Sequence, residues 1–292
     1  MRIAVIGAEG QLGADISEAF ERNGDEVDRL DHTSIEIASP DSVRNSLFTI
    51  APDVIVNTAA FHQIEQCELN PAKAFATNAC GPWNLATTAA ELGALLIHIS
   101  TDYVFDGSKG IPYVESDLPQ PMNVYGNTKL AGEYFVATTS SRHFILRTSA
   151  LYGKHACRGK GGLNFVELMR KLAAAGKEIK VVDSEFVTPT ATSEVAKQVV
   201  KVSRCDAFGL YHATAEGSCS WYEFAREIFE LTGTDARLTI ASPADFPIKV
   251  RRPKYSVLEN AGLNSIGMNA FRPWQEALRD YLAVSDRQVR VA

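Results

Sequence analysis

Tyr125 and Lys129 are the two residues whose types and spacing most directly suggest chemistry. Residues four apart lie on the same face of a helix, so a helical segment would stack the two side chains. The Lys129 ammonium then favours the phenolate, and we expect it to lower the pKa of Tyr125 from its usual value near about 10. The pair is thus predicted to donate a proton near neutral pH, although this spacing also occurs on ordinary helix surfaces.

A glycine-rich turn near the N-terminus gives this pair its context. Residues 2–6 are almost all apolar, as in a buried strand, and residues 11–23 carry apolar side chains at helical spacing. Between them the chain places Gly7, Gly10, Gln11, Leu12 and Gly13. Such glycines permit a tight turn and let a pyrophosphate approach the backbone N–H groups at a helix start. We predict a dinucleotide-binding turn, the alternative being a glycine-rich connection of any α/β protein.

Three further residues are predicted to contact the dinucleotide. Asp31 ends the second predicted strand, about 20 residues past the glycines, where a carboxylate commonly bonds the ribose hydroxyls. This favours NAD over NADP, although Asp31 could instead begin a turn. Ala59 and Ala60 are small residues that follow another predicted strand, 53–57, where a cofactor could lie. The sequence leaves NADH and NADPH both open.

Strands and helices alternate through the first half of the chain, which predicts an α/β fold with a doubly wound parallel (Rossmann) sheet. A long helix is expected over 71–92, with a kink at Gly81-Pro82. Residues 1–150 are predicted to form the dinucleotide-binding domain. Residues 151–292 are predicted to form a smaller, mostly substrate-binding lobe, with some segments returning to the first domain. Helices are expected there over 163–175, 192–202 and 221–231.

Composition excludes several function classes. The net charge of -6, without a basic aromatic stripe, argues against nucleic acid, and no apolar run reaches the roughly 20 residues of a membrane span. Five cysteines without a Cys-x-x-Cys motif, in a chain that begins directly with a strand, indicate reduced thiols in a cytoplasmic protein. The histidines lack metal-ligand spacing. The basic, glycine-rich segment 154–162 lacks a P-loop ending and is interpreted as a surface loop rather than a diphosphate-binding lid.

Taken together, several blocks resemble the extended short-chain dehydrogenase/reductase family, and within it the dTDP-4-dehydrorhamnose reductases. The resemblance extends over nearly the whole chain. It rests on the glycine turn and on residues 52–60, 100–107, 123–133, 147–149 and 252–253. It implies a Rossmann fold and a nicotinamide cofactor, NADH or NADPH.

The resemblance also implies a reaction and the residues that perform it. The reaction is reduction of the C4 ketone of a nucleoside-diphosphate 4-keto-6-deoxy sugar, dTDP-4-dehydrorhamnose to dTDP-L-rhamnose. Tyr125 is expected to protonate the developing alkoxide, Lys129 to tune Tyr125 and bond the nicotinamide ribose, and Thr101 to donate a hydrogen bond to the same oxygen. Asp102 is expected to orient the sugar hydroxyls, and Arg252 to contact the diphosphate.

One departure from the family pattern keeps other functions open. Rhamnose reductases usually carry a sugar-facing Trp after the Arg-Thr-Ser of 147–149, and this chain has Ala150. Phe61 or Tyr152 could replace that aromatic wall. The alternatives are a reductase or epimerase for a different sugar nucleotide, or a non-catalytic NADP-binding regulatory subunit like that of methionine adenosyltransferase. The complete set of Thr101, Tyr125 and Lys129 favours an enzyme.

Two associations known in the family are left open. Some members bind magnesium through carboxylates at a subunit interface, and Asp15 and Glu194 fall at comparable positions. A complete ligand set cannot be matched, so magnesium remains possible but no metal is predicted. A homodimer is possible, since dimers are common in the wider family.

Overall fold

A parallel sheet of six strands forms the centre of the molecule. The computed structural model describes residues 1–157, 161–242, 244–245 and 250–291, with backbone alone for 285–291. The central strands are β1 Arg2–Ile6, β2 Glu26–Leu30, β3 Val54–Asn57, β4 Leu95–Thr101, β5 His143–Thr148 and β10 Gly209–His212. Their order is β10-β5-β4-β3-β1-β2 and every pairing is parallel. The predicted doubly wound parallel sheet is confirmed, and its chain order reverses between β1 and β3.

Helices cover both faces of the sheet and complete the second half of the chain. They are α1 Gln11–Arg22, α2 Pro40–Ile50, α3 Ile64–Leu69, α4 Pro71–Phe75, α5 Gly81–Leu92, α6 Val124–Thr139, α7 Phe165–Ala174, α8 Thr192–Val202, α9 Trp221–Thr232, α10 Ala261–Ser265 and α11 Trp274–Val291. The short remaining strands are β6 Leu151–Tyr152, β7 Ile179–Val181, β8 Phe186–Val187, β9 Thr190–Ala191, β11 Cys219–Ser220 and β12 Leu238–Ile240. None of the helices among the described residues is both long and apolar enough to cross a membrane.

Alternating side chains of the strands form two separate cores. On β1, Ile3 and Val5 pack with α1 and α8, whereas Ala4 and Ile6 pack with α2, α5 and α6. This alternation follows from the two-residue period of a strand, and burial on both faces explains why the strands are nearly continuous apolar runs. A third core joins β6, α7, α9 and α11 in the second half of the chain.

The predicted kink in the helix over 71–92 is a π-helical turn. Helix α4 ends at Phe75, the turn spans Ala76–Cys80, and α5 resumes at Gly81 with Pro82 in its first turn. The extra residue of a π turn rotates the side chains that precede it relative to those that follow. Asn78 in this turn is consequently buried beneath the loop that follows β3.

Candidate active site

The carboxyl ends of four neighbouring strands bring most of the predicted site residues to one edge of the sheet. Gly7 follows β1, Asp31 follows β2, Ala59 follows β3, and Thr101 is the last residue of β4. Because parallel strands all end at the same edge, these residues lie around one crevice, next to the switch in strand order. Helix α6, which carries Tyr125 and Lys129, begins at this edge as well.

The glycine turn is tightly folded and leaves room above the start of α1. Gly7 has a φ of 79°, a left-handed conformation that favours glycine, and its N–H donates to the Leu30 carbonyl at 2.8 Å. A Cβ on Gly13 would lie 2.2 Å from the Gly7 carbonyl oxygen, so only glycine lets the helix approach the turn. A Cβ on Gly10 would meet only that same oxygen, at 3.1 Å.

The start of α1 presents backbone N–H groups, whereas the Gln11 side chain points elsewhere. Gln11, Leu12 and Gly13 form the first turn, and the Ala14 N–H is the one that donates to the Gly10 carbonyl. The first N–H groups of a helix have no partner within the helix and attract anions. The Gln11 amide donates to the carbonyls of Gly153 and His155 at 3.3 and 3.1 Å, so it holds the following loop in place.

Asp31 organises the turn after β2. Its Oδ1 accepts hydrogen bonds from the backbone and hydroxyl groups of Thr33 and Ser34, at 2.7 to 3.0 Å. These bonds hold the pKa of Asp31 far below its usual range, so the group is a carboxylate at neutral pH. The contacts of Asp31 in this structure are therefore those of a residue that begins a turn. A contact between Asp31 and the ribose stays a prediction.

Asp102 lies at the centre of a buried cluster of hydroxyl groups rather than at an open surface. Its Oδ1 accepts from the Thr101 hydroxyl at 3.1 Å, and its Oδ2 accepts from Ser149 and Ser256 at 2.9 and 2.6 Å. Burial raises the pKa of Asp102, and these three hydrogen bonds oppose the rise. The Thr101 hydroxyl also accepts from the Tyr103 N–H at 3.2 Å. All of these contacts lie within the protein, and the expectation that Asp102 orients the sugar hydroxyls stays a prediction.

A cap and a buried ion pair fix helix α6. The Asn123 side chain accepts from the Gly126 N–H at 2.9 Å, which caps the helix one residue before Val124, its first residue. Further along, the Glu133 carboxylate accepts from the Arg147 guanidinium at 2.6 and 2.9 Å, and both side chains are buried. The Ser100 hydroxyl donates to the same carboxylate at 2.5 Å. Because the partners belong to β5 and β4, they set the position of α6 against the sheet.

Tyr125 differs from the sequence prediction in its electrostatics. Burial raises the pKa of Tyr125 above its usual value, and a polar interaction with the Thr101 hydroxyl opposes part of the rise. The expected lowering by Lys129 is therefore wrong for this structure. Burial is the dominant cause, and Lys129 does not offset it because its Nζ is bonded to the Ile99 carbonyl oxygen, at 2.7 Å.

Lys129 also contacts a polar side chain, that of His98, which the sequence did not indicate. Its Nζ lies 3.3 Å from His98 Nε2, and His98 Nδ1 lies 3.1 Å from the amide nitrogen of Asn57. Burial lowers the pKa of Lys129 to about 8, while Glu133 raises it. Asn57 Oδ1 in turn accepts from the Ala59 N–H at 3.1 Å, which connects Lys129 to one of the predicted cofactor residues.

The loop after β3 is tied to α6 by the π-helical turn. The Asn78 side chain accepts from the Phe61 N–H at 2.8 Å and donates to the Phe61 carbonyl at 2.9 Å. Asn78 also donates to the Thr128 hydroxyl at 3.1 Å. Ala59 and Ala60 precede Phe61 in this loop and are half-buried.

Arg252 lies near the start of α6 and is paired with a carboxylate. Its guanidinium is 2.7 Å from Glu65 on α3, and the preceding carbonyl of Arg251 accepts from the Asn123 amide at 2.9 Å. Burial lowers the pKa of Arg252, but Tyr103, Glu65 and Glu185 together raise it above its usual value. The structure therefore brings Arg252 to the same end of α6 as Tyr125.

The aromatic substitutes proposed for the missing Trp fall in different surroundings. Ala150 is half-buried and has a φ of 44°, in the left-handed region. Tyr152 is fully buried against Phe224 and Tyr281 in the third core, so it cannot serve as a sugar-facing wall. Phe61 is half-buried at the crevice edge, with the Lys73 Nζ 5.2 Å from its ring centre.

The carboxylates considered for magnesium already have partners within the chain. Asp15 accepts a hydrogen bond from Thr192, and burial raises its pKa. Glu194 pairs with Lys197 at 2.8 Å and Arg272 at 3.1 Å. Near Asp15, Glu18 pairs with Lys154 and His155 from the basic loop, at 2.5 and 2.8 Å. That anchors the described start of the loop to α1, while its residues 158–160 lie outside the described residues.

Sequence reasoning missed the buried polar residues that position helix α6 and the predicted catalytic pair Tyr125 and Lys129. They are Asn57, Asn78, His98, Glu133 and Arg147. Each is a polar residue within an otherwise buried strand or helix, and burial of a polar side chain requires a partner. The sequence did contain one signal, because His98 lies at the centre of the apolar run 95–101 and a buried histidine needs a polar partner. The partner itself could not be read, because it lies on another element.

With this geometry in place, comparison with known proteins settles the family. The family model described as RmlD substrate binding domain matches residues 1–287. The chain belongs to this family. The spore coat polysaccharide biosynthesis protein SpsK of Bacillus subtilis (strain 168) is 39% identical over 281 residues, 96% of each chain.

Solved structures agree with the family assignment. A dTDP-4-dehydrorhamnose reductase of Clostridium acetobutylicum ATCC 824 is 39% identical, with a TM-score of 0.93 over 98% of this chain and 100% of that one. The dTDP-4-dehydrorhamnose reductase of Bacillus anthracis str. Ames, in complex with NADP, is 34% identical, with a TM-score of 0.92 over 97% and 98%. The predicted resemblance to this reductase family is confirmed.

Proposed function

We propose that this protein is an NAD(P)H-dependent reductase of the C4 ketone of a nucleoside-diphosphate 4-keto-6-deoxy sugar, with dTDP-4-dehydrorhamnose as the substrate. Membership of the family supports the reaction class. The single observation that carries the proposal is the cluster formed by Thr101, Tyr125 and Lys129 at the carboxyl edge of the sheet, beside the glycine turn.

The residues around the glycine turn fit a dinucleotide. The turn has no side chain at Gly7 or Gly10, and the N–H groups at the start of α1 point to the space above it, which suits a pyrophosphate. Ala59 and Ala60 would line the adjacent strand end with small side chains, and Asp31 would meet the adenosine ribose. When bound, the reduced nicotinamide supplies the hydride for the ketone.

Tyr125 supplies the proton that the reduction consumes. Because its pKa is raised, the phenol keeps its proton at neutral pH and can donate it to the oxygen of the ketone as negative charge develops there. After the transfer the phenolate must be reprotonated from solvent. Lys129, four residues along the same helix face, stabilises that phenolate once the lysine is charged.

Thr101 and Asp102 position the acid. The Thr101 hydroxyl gives its hydrogen to Asp102 and accepts from the Tyr103 N–H, which fixes the direction of its lone pairs. A substrate oxygen that approaches Tyr125 also meets Thr101, whose hydrogen can turn from Asp102 to that oxygen. Asp102 therefore acts on the sugar site through Thr101, Ser149 and Ser256.

The second half of the chain is proposed to hold the nucleotide end of the substrate. Arg252 lies near the start of α6 and can exchange Glu65 for a diphosphate, whose oxygens accept paired hydrogen bonds from a guanidinium as a carboxylate does. We propose the division into a dinucleotide-binding domain over 1–150 and a mostly substrate-binding lobe over 151–292 on this basis. Strand β10 and helix α8 are segments of the second half that join the central sheet and its covering layer.

The cellular setting is part of the same proposal. Nucleotide sugars and reduced nicotinamides meet in the cytoplasm, and the five cysteines are free thiols. We propose a cytoplasmic enzyme whose partner is its small-molecule substrate, with a homodimer as a possible assembly. Size-exclusion chromatography with light scattering would measure the assembly directly.

The test is cofactor oxidation by the purified protein. The 3,5-epimerised dTDP-4-keto-6-deoxy sugar is supplied with NADH or NADPH in separate reactions, and absorbance of the reduced nicotinamide is followed. Turnover with this sugar supports the proposal and measures the cofactor preference that Asp31 leaves open. Binding of the cofactor without turnover would contradict the proposed substrate, and the same assay with other 4-keto sugar nucleotides would then identify it.

Ala150→Trp tests whether the missing aromatic wall limits substrate binding. We expect the variant to lower KM for dTDP-4-dehydrorhamnose with little change in kcat, because stacking on the sugar adds about 1 kcal/mol, or roughly fivefold, to binding. Ala150 already adopts a left-handed φ, so the backbone strain at this position is about the same for Ala and for Trp. A large rise in KM would instead indicate a pocket shaped for a different sugar. Ala150→Leu controls for bulk without an aromatic face.

A further inference from the structure

A row of buried polar side chains links the end of β3 to helix α6 through β4. Asn57 and His98 are paired in register on adjacent parallel strands, so their side chains lie on the same face. The amide nitrogen of Asn57 is 3.1 Å from His98 Nδ1, and Lys129 Nζ is 3.3 Å from His98 Nε2. None of the three is more than 2% exposed, so each must find its partner within the protein.

The orientation of the Asn57 amide decides the tautomer of His98. The Ala59 N–H donates to Asn57 Oδ1 at 3.1 Å, so the Asn57 nitrogen, which can only donate, faces the imidazole. His98 Nδ1 must then accept. Burial lowers the pKa of His98 well below its usual range, so the ring is neutral and carries its hydrogen on Nε2.

The Nε2–H of His98 consequently points at Lys129. An ammonium has only hydrogen-bond donors. A charged Lys129 would therefore place a second donor against the Nε2–H of His98, with no acceptor between them. An amine has a lone pair that accepts from His98, and one of its own N–H groups donates to the Ile99 carbonyl at 2.7 Å. The hydrogen-bond pattern therefore favours an uncharged Lys129, and burial lowers the pKa of Lys129 to about 8, so the amine predominates above that pH.

The other titratable groups near Lys129 do not reverse this. Glu133 raises the pKa of Lys129, but its carboxylate is shared with Arg147 at 2.6 Å. Burial raises the pKa of each of the remaining groups on the elements packed against α6 at this point, which are Tyr125, Cys67 and Asp102. Tyr125 and Cys67 are thereby kept uncharged at neutral pH, and Asp102 is already bonded to three hydroxyls.

We propose that His98 is a positioning residue that acts through Lys129: in mildly alkaline solution its Nε2–H holds Lys129 as an uncharged amine, which takes up one proton when the nicotinamide cofactor binds. The inference rests on the proposed function, because it requires that cofactor. Ribose hydroxyls can accept from an ammonium, and the phosphates add negative charge, so binding favours the charged form. The proton comes from solvent, and no other bond is made or broken.

Calorimetric titration of the wild-type protein with NADPH tests the proton uptake. Titrations are run in pairs of buffers with different ionisation enthalpies. The difference between the two binding heats then gives the number of protons taken up from the buffer. We expect uptake approaching one proton per cofactor above the pKa of Lys129, and a Kd that weakens by about tenfold per pH unit there. Long-range proton–nitrogen NMR of the cofactor-free protein is expected to find His98 protonated on Nε2 and not on Nδ1.

Two substitutions separate the two contacts of His98. His98→Asn is expected to keep the contact with Asn57 and to lose the contact with Lys129. His98→Gln is expected to reach Lys129 and to offer its ammonium a carbonyl oxygen. Both remove the fixed N–H, so we expect the onset of the pH-dependent loss of NADPH affinity to move up by about one pH unit in His98→Asn and further in His98→Gln. His212→Gln, which replaces another buried neutral histidine of the same sheet, is the matched control and should leave the onset unchanged.

The outcomes distinguish this inference from the proposed function. NADPH binding without proton uptake, an unchanged onset in the His98 variants, or His98 protonated on Nδ1 would each overturn the role of His98. Failure of both NADPH and NADH to bind would overturn the proposed function instead. The calorimetry and NMR use the wild-type protein, so the inference remains testable even if a His98 variant does not fold.

Discussion

Tyr125→Phe is expected to lower kcat by about 10²- to 10⁴-fold while leaving NADPH affinity unchanged, because the change removes only the proton donor. The phenyl ring of the variant still fills this half-buried position beside Tyr103, where the ring centres of Tyr103 and Tyr125 are 5.8 Å apart. The hydroxyl is the group that interacts with Thr101 and that is proposed to protonate the ketone oxygen. The measurement is steady-state kinetics on the sugar nucleotide, with cofactor affinity measured separately by fluorescence titration.

Tyr134 provides a matched control on the same helix. Its side chain is 57% exposed, so Tyr134→Phe makes the identical chemical change away from the crevice and should leave kcat unaltered. A Tyr125→Phe enzyme with wild-type kcat would show that the proton reaches the alkoxide by another route. Equal losses in both variants would point to a general effect on helix α6 rather than on the acid.

The sequence was sufficient to predict the sheet. Buried parallel strands are recognisable as apolar runs, and the glycine turn directly follows the first of them. The kink near Gly81 was also predictable, because proline cannot continue the hydrogen bonds of a helix. Its form as a π-helical turn was not, since that depends on Asn78 binding the Phe61 loop.

The electrostatics of the site could not be predicted from spacing alone. Four-residue spacing places Lys129 on the same helix face as Tyr125, but it does not say which acceptor the long lysine side chain reaches. The Ile99 carbonyl and His98 belong to β4, and only the packing of α6 on the sheet brings them within bonding distance. The same limit explains why Asp102, expected at the sugar, is bonded to Ser149 and Ser256 from distant parts of the chain.

Helix α11 was predictable from the sequence, although no helix is predicted over residues 274–291. Trp274, Leu278 and Leu282 have helical spacing and pack in the third core, together with Ala277 and Tyr281. Apolar residues at intervals of three and four are typical of an amphipathic helix. The core that they face is formed by other elements and is known only from the structure.

Gly10→Val is expected to abolish cofactor binding while the protein remains folded. Gly10 has a φ of -75°, which any residue adopts, and a Cβ there would have one close neighbour, the Gly7 carbonyl oxygen at 3.1 Å. The branched side chain would therefore occupy the space above the turn. Loss of two charge-assisted bonds from backbone N–H groups to a pyrophosphate would weaken Kd by about 100-fold or more.

Gly13→Ala makes the decisive comparison, because it places a smaller side chain three residues further along the same turn. Its Cβ would lie 2.2 Å from the Gly7 carbonyl oxygen, so helix and turn must separate, and we expect the free energy of unfolding to fall by about 1–3 kcal/mol. Thermal unfolding and nucleotide titration of both variants separate the two effects. If Gly10→Val still bound NADPH with wild-type affinity, the pyrophosphate could not lie over this turn, and the cofactor would have to enter the crevice from the side of Ala59 instead.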